Sequence, residues 1–189
     1  MDNYYNLNTN YNDRLNVWVD QIKETNKKTV IYSLSDINYS LRFDEMIQTF
    51  NTPNACFAMC ALDKETYNYF TSKNIPTVLL DKEEDNFNHL VCISKFLLTK
   101  VLLKNGFNVI MTEADIFWKT DVTTIFNTNA ELTVSQHTYS PEVNIGFYRV
   151  LSNENTIKFF DNLMDWIYDP KYSYKQDIYK NIYLNKKPH

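Results

Sequence analysis

Phe107-Asn-Val-Ile-Met-Thr-Glu113-Ala-Asp115-Ile-Phe-Trp118 is an apolar run that ends in two carboxylates one residue apart and then turns apolar again. Phe107 to Met111 has the length and character of a short buried strand, which puts both acids at its carboxyl end. In open α/β sheets ligands bind beyond the carboxyl ends of the strands, so Glu113 and Asp115 are placed to hold a metal ion or a ligand. Their oxygen chemistry suits Mg²⁺ or Mn²⁺. The competing reading of two acids at this spacing is a pair of solvated turn residues.

Upstream, Asn88 to Asn105 predicts the strongest helix of the chain, with Leu90, Val91, Ile93, Phe96, Leu97, Val101 and Leu102 apolar and Gly106 suited to the stop. Lys95 interrupts that apolar pattern and has two possible destinations. Either its stem lies along the core and its ammonium reaches solvent, or it neutralises a phosphate or carboxylate in a site. Downstream, Lys119 to Phe126 reads as a loop with a short helical turn, and Glu131 to His137 alternates as a strand. Val143 to Val150 is a further strand with Gly146 in its interior, where glycine marks a bulge or a close approach by ligand or backbone. Ser152 is placed to cap a helix carrying Ile157, Phe160, Leu163, Met164, Trp166 and Ile167, which Asp169-Pro170 ends; Tyr174 to Leu184 reads as a last helix.

The N-terminal half supplies the alternation. Residues 1–11 are rich in Asn and Tyr without a period and read as a loosely ordered arm. From Asp13, the spacing of Leu15, Trp18, Val19 and Ile22 predicts a helix to about Thr25. Thr29 to Leu34 is a strand ending in Ser35-Asp36, a polar turn suited either to a base or ribose or to capping the next helix. Ser40 is placed to cap a helix with Phe43, Met46, Ile47 and Phe50 inward. Ala55 to Leu62 is nearly all apolar, as a parallel strand covered on both faces should be, and Asp63 opens a helix with Tyr67 and Phe70. Pro76 to Leu80 is a short strand, and the acidic Asp81 to Asn88 a solvated loop. Strand and helix in alternation predict an α/β fold: a mostly parallel central sheet flanked by helices on both faces.

Composition narrows the function classes. At 189 residues, 44% hydrophobic and 15% aromatic, the chain can bury one substantial core, and the expectation is one domain over residues 12–189. A net charge of -4 with scattered lysines argues against a nucleic-acid partner. Only two glycines occur, Gly106 and Gly146, which rules out a Gly-x-Gly-x-x-Gly fingerprint and a P-loop. Cys56, Cys60 and Cys92 form no Cys-x-x-Cys pair and are expected as core thiols in a reducing compartment. Neither a signal-peptide pattern nor an integral membrane segment is visible, so the expected location is cytoplasmic.

The run Lys95 to Trp118, with Lys95, Gly106, Glu113-Ala-Asp115 and Trp118 in that order, followed by Asn144-Ile-Gly146-Phe147-Tyr148, resembles the nucleotide-diphospho-sugar transferase family of GT-A glycosyltransferases. About half the chain carries the resemblance, and both glycines fall on it. It implies a GT-A-like fold and transfer of a sugar from a nucleotide diphosphate sugar, UDP first among the candidates, to a hydroxyl of a glycan or protein acceptor, with Mn²⁺ or Mg²⁺ at the leaving diphosphate. By resemblance Asp115 is the direct metal ligand and Glu113 meets the metal or ribose. Lys95 faces phosphate or sugar, and Asn144 and Gly146 line the donor-sugar pocket. Ser33, Ser35, Asp36 and Asp63, at the ends of the first two strands, become nucleotide-side candidates.

Three departures mark this chain. Glu113 stands where the motif usually has Asp, which lengthens the arm. Lys175-Gln176-Asp177 stands where the family has Asp-Gln, leaving Asp177 the candidate acceptor-side base or sugar ligand, and the chain is short at its C-terminal end relative to the family. His189 and His137, the choices for a histidine at the metal, also read as ordinary surface residues. Inversion of configuration would need a base beside the acceptor, and sequence places neither Asp177 nor Glu142 there. The alternative reading is a non-catalytic nucleotide- or sugar-binding module on the same fold. A structural interaction domain would account for the many tyrosines but not for Glu113-x-Asp115.

Overall fold

The structure, a computed structural model, describes residues 9–50, 52–80, 87–126, 128–136, 139 and 141–168. Expectations placed on the last helix, on Asp177, His137 and His189, and on most of the acidic run after Leu80 lie outside these residues.

In chain order the elements are α1 (Thr9–Glu24), β1 (Thr29–Ser35), a 3-10 turn (Ile37–Arg42), α2 (Phe43–Thr49), β2 (Ala55–Ala61), α3 (Lys64–Ser72), β3 (Thr77–Leu79), α4 (Phe87–Lys104), β4 (Asn108–Thr112), α5 (Val122–Ile125), β5 (Leu132–Gln136), β6 (Val143–Val150) and α6 (Glu154–Tyr168). The six strands form one sheet in the order β3-β2-β1-β4-β6-β5. β1, β2, β3 and β4 run parallel, while β6 is antiparallel to both its neighbours. This is the α/β architecture that the alternation of apolar runs predicts.

Alternation along each strand divides the core. On one face Val30, Tyr32 and Leu34 of β1 meet Trp18 and Ile22 of α1 and Leu98, Leu102 and Leu103 of α4. On the other, Met59 packs with Phe43 and Met46 of α2 and Phe70 of α3, while Ile31 and Ile110 pack with Val122 of α5. Each large apolar side chain fully buried this way contributes about 1.5–3 kcal/mol. Helices therefore cover both faces, as a parallel sheet requires.

Helix ends show where local chemistry competes. Gly106, at φ +81, ends α4, its N–H reaching Leu103 O and that of Phe107 reaching Leu102 O. With so few glycines, the other left-handed positions after helices fall to Asn26 and Asn74. α1 begins at Thr9, four residues before the expected Asp13, because a helix anchored by Leu15, Trp18, Val19 and Ile22 gains a hydrogen bond for each residue added at its end. Part of the expected N-terminal arm is thus helix. The residue preceding α2 is Arg42, without a side-chain cap, and not the expected Ser40, which lies within the 3-10 turn; the Asp36 carboxylate accepts from the Asn38 N–H at the start of that turn. Ser152 is likewise displaced as a cap, by Asn153, whose Oδ1 accepts from Thr156 N. The Ser152 hydroxyl instead donates to Leu103 O, and its N–H to Asn108 Oδ1, which ties the entry of α6 to α4 and β4.

Candidate functional site

Strand order creates the site. The chain runs β1, β2, β3 in one direction across the sheet and then crosses back to place β4 on the other side of β1. Ligands of open α/β sheets bind at such a reversal, outside the carboxyl ends of the two strands that flank it. Here those ends are Ser33 to Asp36 and Thr112 to Asp115. The register marks a crevice: β1 pairs with β4 only as far as Tyr32↔Met111, whereas it stays with β2 to Ser35↔Ala61.

Glu113 and Asp115 leave β4 in a turn closed by a hydrogen bond from Ile116 N to Glu113 O, and the Glu113 N–H donates to Gly146 O on β6. Their side chains then part. The Glu113 carboxylate accepts from the Lys95 ammonium, Nζ to Oε1 2.8 Å, while Asp115 is exposed. Lys95 is buried, its side chain 8% exposed against 46% for Glu113, so the carboxylate is the route by which a charge inside α4 reaches the ligand edge. Of the two destinations open to Lys95 in sequence, the structure takes the carboxylate and not bulk solvent.

Gly146 makes room for this pair. A Cβ built there would stand 2.4 Å from Glu113 Oε2 and 2.6 Å from its Cδ. The β6 chain bulges at this point, since Val134 pairs with Tyr148 but Ser135 with Asn144, and the Ser135 hydroxyl bridges the carbonyls of Asn144 and Phe147. Asn144 Oδ1 accepts from Gly146 N at 2.8 Å, so its side chain holds the bulge closed. Beneath Asp115, Trp118 packs against Phe147, with ring centroids 5.3 Å apart, and against Phe50 at 6.0 Å, fixing the turn to both β6 and the end of α2.

On the β1 side the candidates are mostly inward. Ser33 is fully buried, and its hydroxyl has no hydrogen-bond partner among the described residues; Ser35 donates to the Asp36 carbonyl. Asp63 caps α3 through Oδ1 on Thr66 N, while its Oδ2 accepts from Ile37 N, so one carboxylate joins the loops after β1 and β2. Asp36 and Asp63 thus have capping contacts at the crevice, the ordinary alternative that their positions in sequence also allowed.

Sequence reasoning missed a buried hydroxyl cluster behind Lys95. Tyr32 of β1, Tyr148 of β6 and Thr99 of α4 bond one another, Thr99 Oγ1 lying 2.8 Å from each phenol oxygen. Both phenols donate to the Lys95 carbonyl, Tyr148 at 3.2 Å and Tyr32 more closely. Burial pushes the Tyr148 hydroxyl up to about 12 and, with the neighbouring Tyr148, raises Tyr32 well above the ordinary tyrosine range, so both stay protonated donors. The signal was present: Lys95 and Thr99 lie one helical turn apart, and both tyrosines hold core-facing positions in apolar strands.

For a divalent cation the described donors are few. No group of three or more His, Cys, Asp or Glu side chains comes together among the described residues. Asp115 is the open carboxylate, and Glu113 has one oxygen engaged by Lys95. Such a set fits Mg²⁺ or Mn²⁺ of the kind held by one or two carboxylates and completed by substrate phosphates and water, and does not form a closed protein cage.

An α/β sheet with paired acids at its switch point presents a ligand edge of the kind open α/β sheets use, and comparison with known proteins narrows the class. The chain belongs to the nucleotide-diphospho-sugar transferase family, whose model matches residues 56–188. The match covers Lys95, Glu113, Asp115, Asn144 and Gly146 and begins after Ser33, Ser35 and Asp36. An uncharacterized protein of Arabidopsis thaliana is 30% identical over 84 residues, which make up 43% of this chain and 26% of that protein. Among solved structures, the glycosyltransferase GlyE of Streptococcus pneumoniae TIGR4 has a similar fold, with a TM-score of 0.51 and 12% identity over 77% of this chain and 40% of GlyE. This chain therefore spans less than half the length of either relative. No helix among the described residues is long and apolar enough to cross a membrane.

Proposed function

We propose that this protein transfers a sugar from a nucleoside diphosphate sugar, with UDP the first candidate nucleotide, to a hydroxyl of a glycan or protein acceptor, and that a divalent cation on Asp115 assists. The acceptor hydroxyl oxygen forms a bond to the anomeric carbon as the bond from that carbon to the diphosphate oxygen breaks; the nucleoside diphosphate leaves, and the hydroxyl proton passes to water or to the departing diphosphate. Bound Mn²⁺ or Mg²⁺ would offset the charge that builds on the leaving diphosphate. The chain's own residues prepare the edge. Lys95, paired with Glu113, stands beside the place where phosphate oxygens would lie, and Asn144 and Gly146, whose near space is taken by the Glu113 carboxylate, would border the donor sugar. Ser33, Ser35 and Asp36, at the buried end of β1, are the nucleotide-side candidates of this reading.

The observation that carries this reading is the Lys95–Glu113 pair packed on Gly146 at the switch point, with Asp115 exposed two residues on. The test is incubation with a panel of nucleotide sugars and Mn²⁺, following nucleoside diphosphate released by transfer or slow donor hydrolysis. Release that disappears with EDTA and in Asp115→Asn supports the proposal, and release that persists in both refutes the assignment of Asp115. A non-catalytic binding module is the second reading, favoured by the engagement of Glu113 with Lys95. Donor binding without turnover for any acceptor would select it.

A further inference from the structure

Tyr32, Thr99 and Tyr148 form a buried hydroxyl cluster against the Lys95 carbonyl. An α-helical carbonyl already has its partner four residues on, yet Lys95 O takes two additional phenol donors, one from each of two strands that are not adjacent in the sheet. β1 and β6 flank β4, the strand that delivers Glu113. The helix is therefore pinned to the strands on either side of β4 at the residue whose side chain meets Glu113. From that pinned backbone the Lys95 ammonium meets Glu113 Oε1 at 2.8 Å, with the other carboxylate oxygen lodged over Gly146.

We infer that Tyr32, Thr99 and Tyr148 are positioning residues, which set the height of Lys95 against the sheet and so hold its ammonium on Glu113 at the donor edge. Each hydroxyl has a partner inside the cluster, so removing one leaves another buried oxygen short of a bond and frees the Lys95 carbonyl to shift. The consequence for a donor rests on the sugar-transfer reading, whereas the consequence for the Lys95–Glu113 pair does not.

The experiment separates the two. Exchange of the Lys95 ammonium protons with water, read by nitrogen-15 NMR of the free protein and assigned with Lys95→Arg, reports the pairing without any substrate. In Tyr32→Phe, Tyr148→Phe and Thr99→Val the exchange is expected to rise about tenfold, the factor matching one lost buried hydrogen bond. Thr99→Ser, which keeps the hydroxyl, restores the slow rate. Leu102→Val, a buried cavity mutation on the same helix, lowers stability but leaves the exchange unchanged. Unaltered exchange in the phenylalanine and valine variants, or equal acceleration in Leu102→Val, overturns the inference. Where the wild type turns over donor, KM for the donor rises in the same three variants more than kcat falls. Absence of turnover in the wild type counts against the sugar-transfer reading and leaves the exchange test intact.

Discussion

Replacing Gly146 by alanine tests the geometry of the site through stability alone. Gly146 does not lie in the left-handed region, so the new methyl meets no backbone penalty, and its cost comes from what it displaces. Glu113 Oε2, 2.4 Å from the added Cβ, must retreat by about 1 Å to reach ordinary contact. Coulomb's law at an effective dielectric near 20 gives the Lys95–Glu113 pair ~6 kcal/mol at 2.8 Å and ~4 kcal/mol if it opens to 4 Å, a loss of ~2 kcal/mol. Water on the exposed half of Glu113 reduces this to about 1 kcal/mol. Restricting the unfolded chain returns about 0.4–1 kcal/mol, so Gly146→Ala by itself is nearly neutral. The informative quantity is a double-mutant cycle with Glu113→Ala, measured by urea unfolding with the slope held constant. Glu113→Ala leaves a buried ammonium unpaired and costs about 3 kcal/mol, the lower end of the range for a broken buried pair because Glu113 is half exposed. In that background the alanine at 146 has lost its main clash and must accommodate only Asn144 Oδ1 at 2.9 Å. The coupling energy is expected at about 1 kcal/mol, and a cycle additive to within about 0.3 kcal/mol would refute the claim that Gly146 exists to seat Glu113.

Further outcomes follow from other contacts. Asp115→Asn is expected to cost less than about 0.5 kcal/mol of stability, because the carboxylate is exposed, and to remove Mn²⁺-dependent diphosphate release; unfolding and release assays on one preparation check both. Asp63→Ala removes the cap of α3 and the acceptor for Ile37 N together, so a loss of about 2 kcal/mol in chemical denaturation is expected, more than a surface cap alone. For Asp161 on α6, burial raises the carboxyl, but hydrogen bonds from Lys100 and Lys104 of α4 outweigh it and hold the group below its ordinary value of 3.8. A depressed folded-state value means that its stabilisation is complete above the unfolded value and fades as pH falls from about 4 through the folded one. Acid titrations of the melting temperature should therefore fall less steeply in that window for Asp161→Asn than for the wild type.

Much of the sheet was legible because buried parallel strands are written as apolar runs, and Thr29 to Leu34, Ala55 to Leu62 and Phe107 to Met111 are nearly unbroken. Strand order was not legible, since nothing local in β4 states that it lies beside β1, and the switch point exists only once that pairing is made. Helix starts were less legible: α2 begins after Arg42 without a side-chain cap, and the cap of α6 falls on Asn153, one residue past the expected Ser152. The site shows the same limit in a more useful form. Lys95 in an apolar helix, Glu113 in place of the shorter Asp, and Gly146 inside a strand were three separate oddities in sequence. In the structure they are one arrangement, in which the buried ammonium needs a carboxylate, the carboxylate needs the longer arm to reach back to it, and the arm needs the space that a side chain at 146 would fill. Shortening Glu113 to Asp would withdraw the carboxylate by one methylene from Lys95. The longer arm of Glu113 is thereby tied to the place of the lysine, and Asp115 is left as the exposed acid of the two.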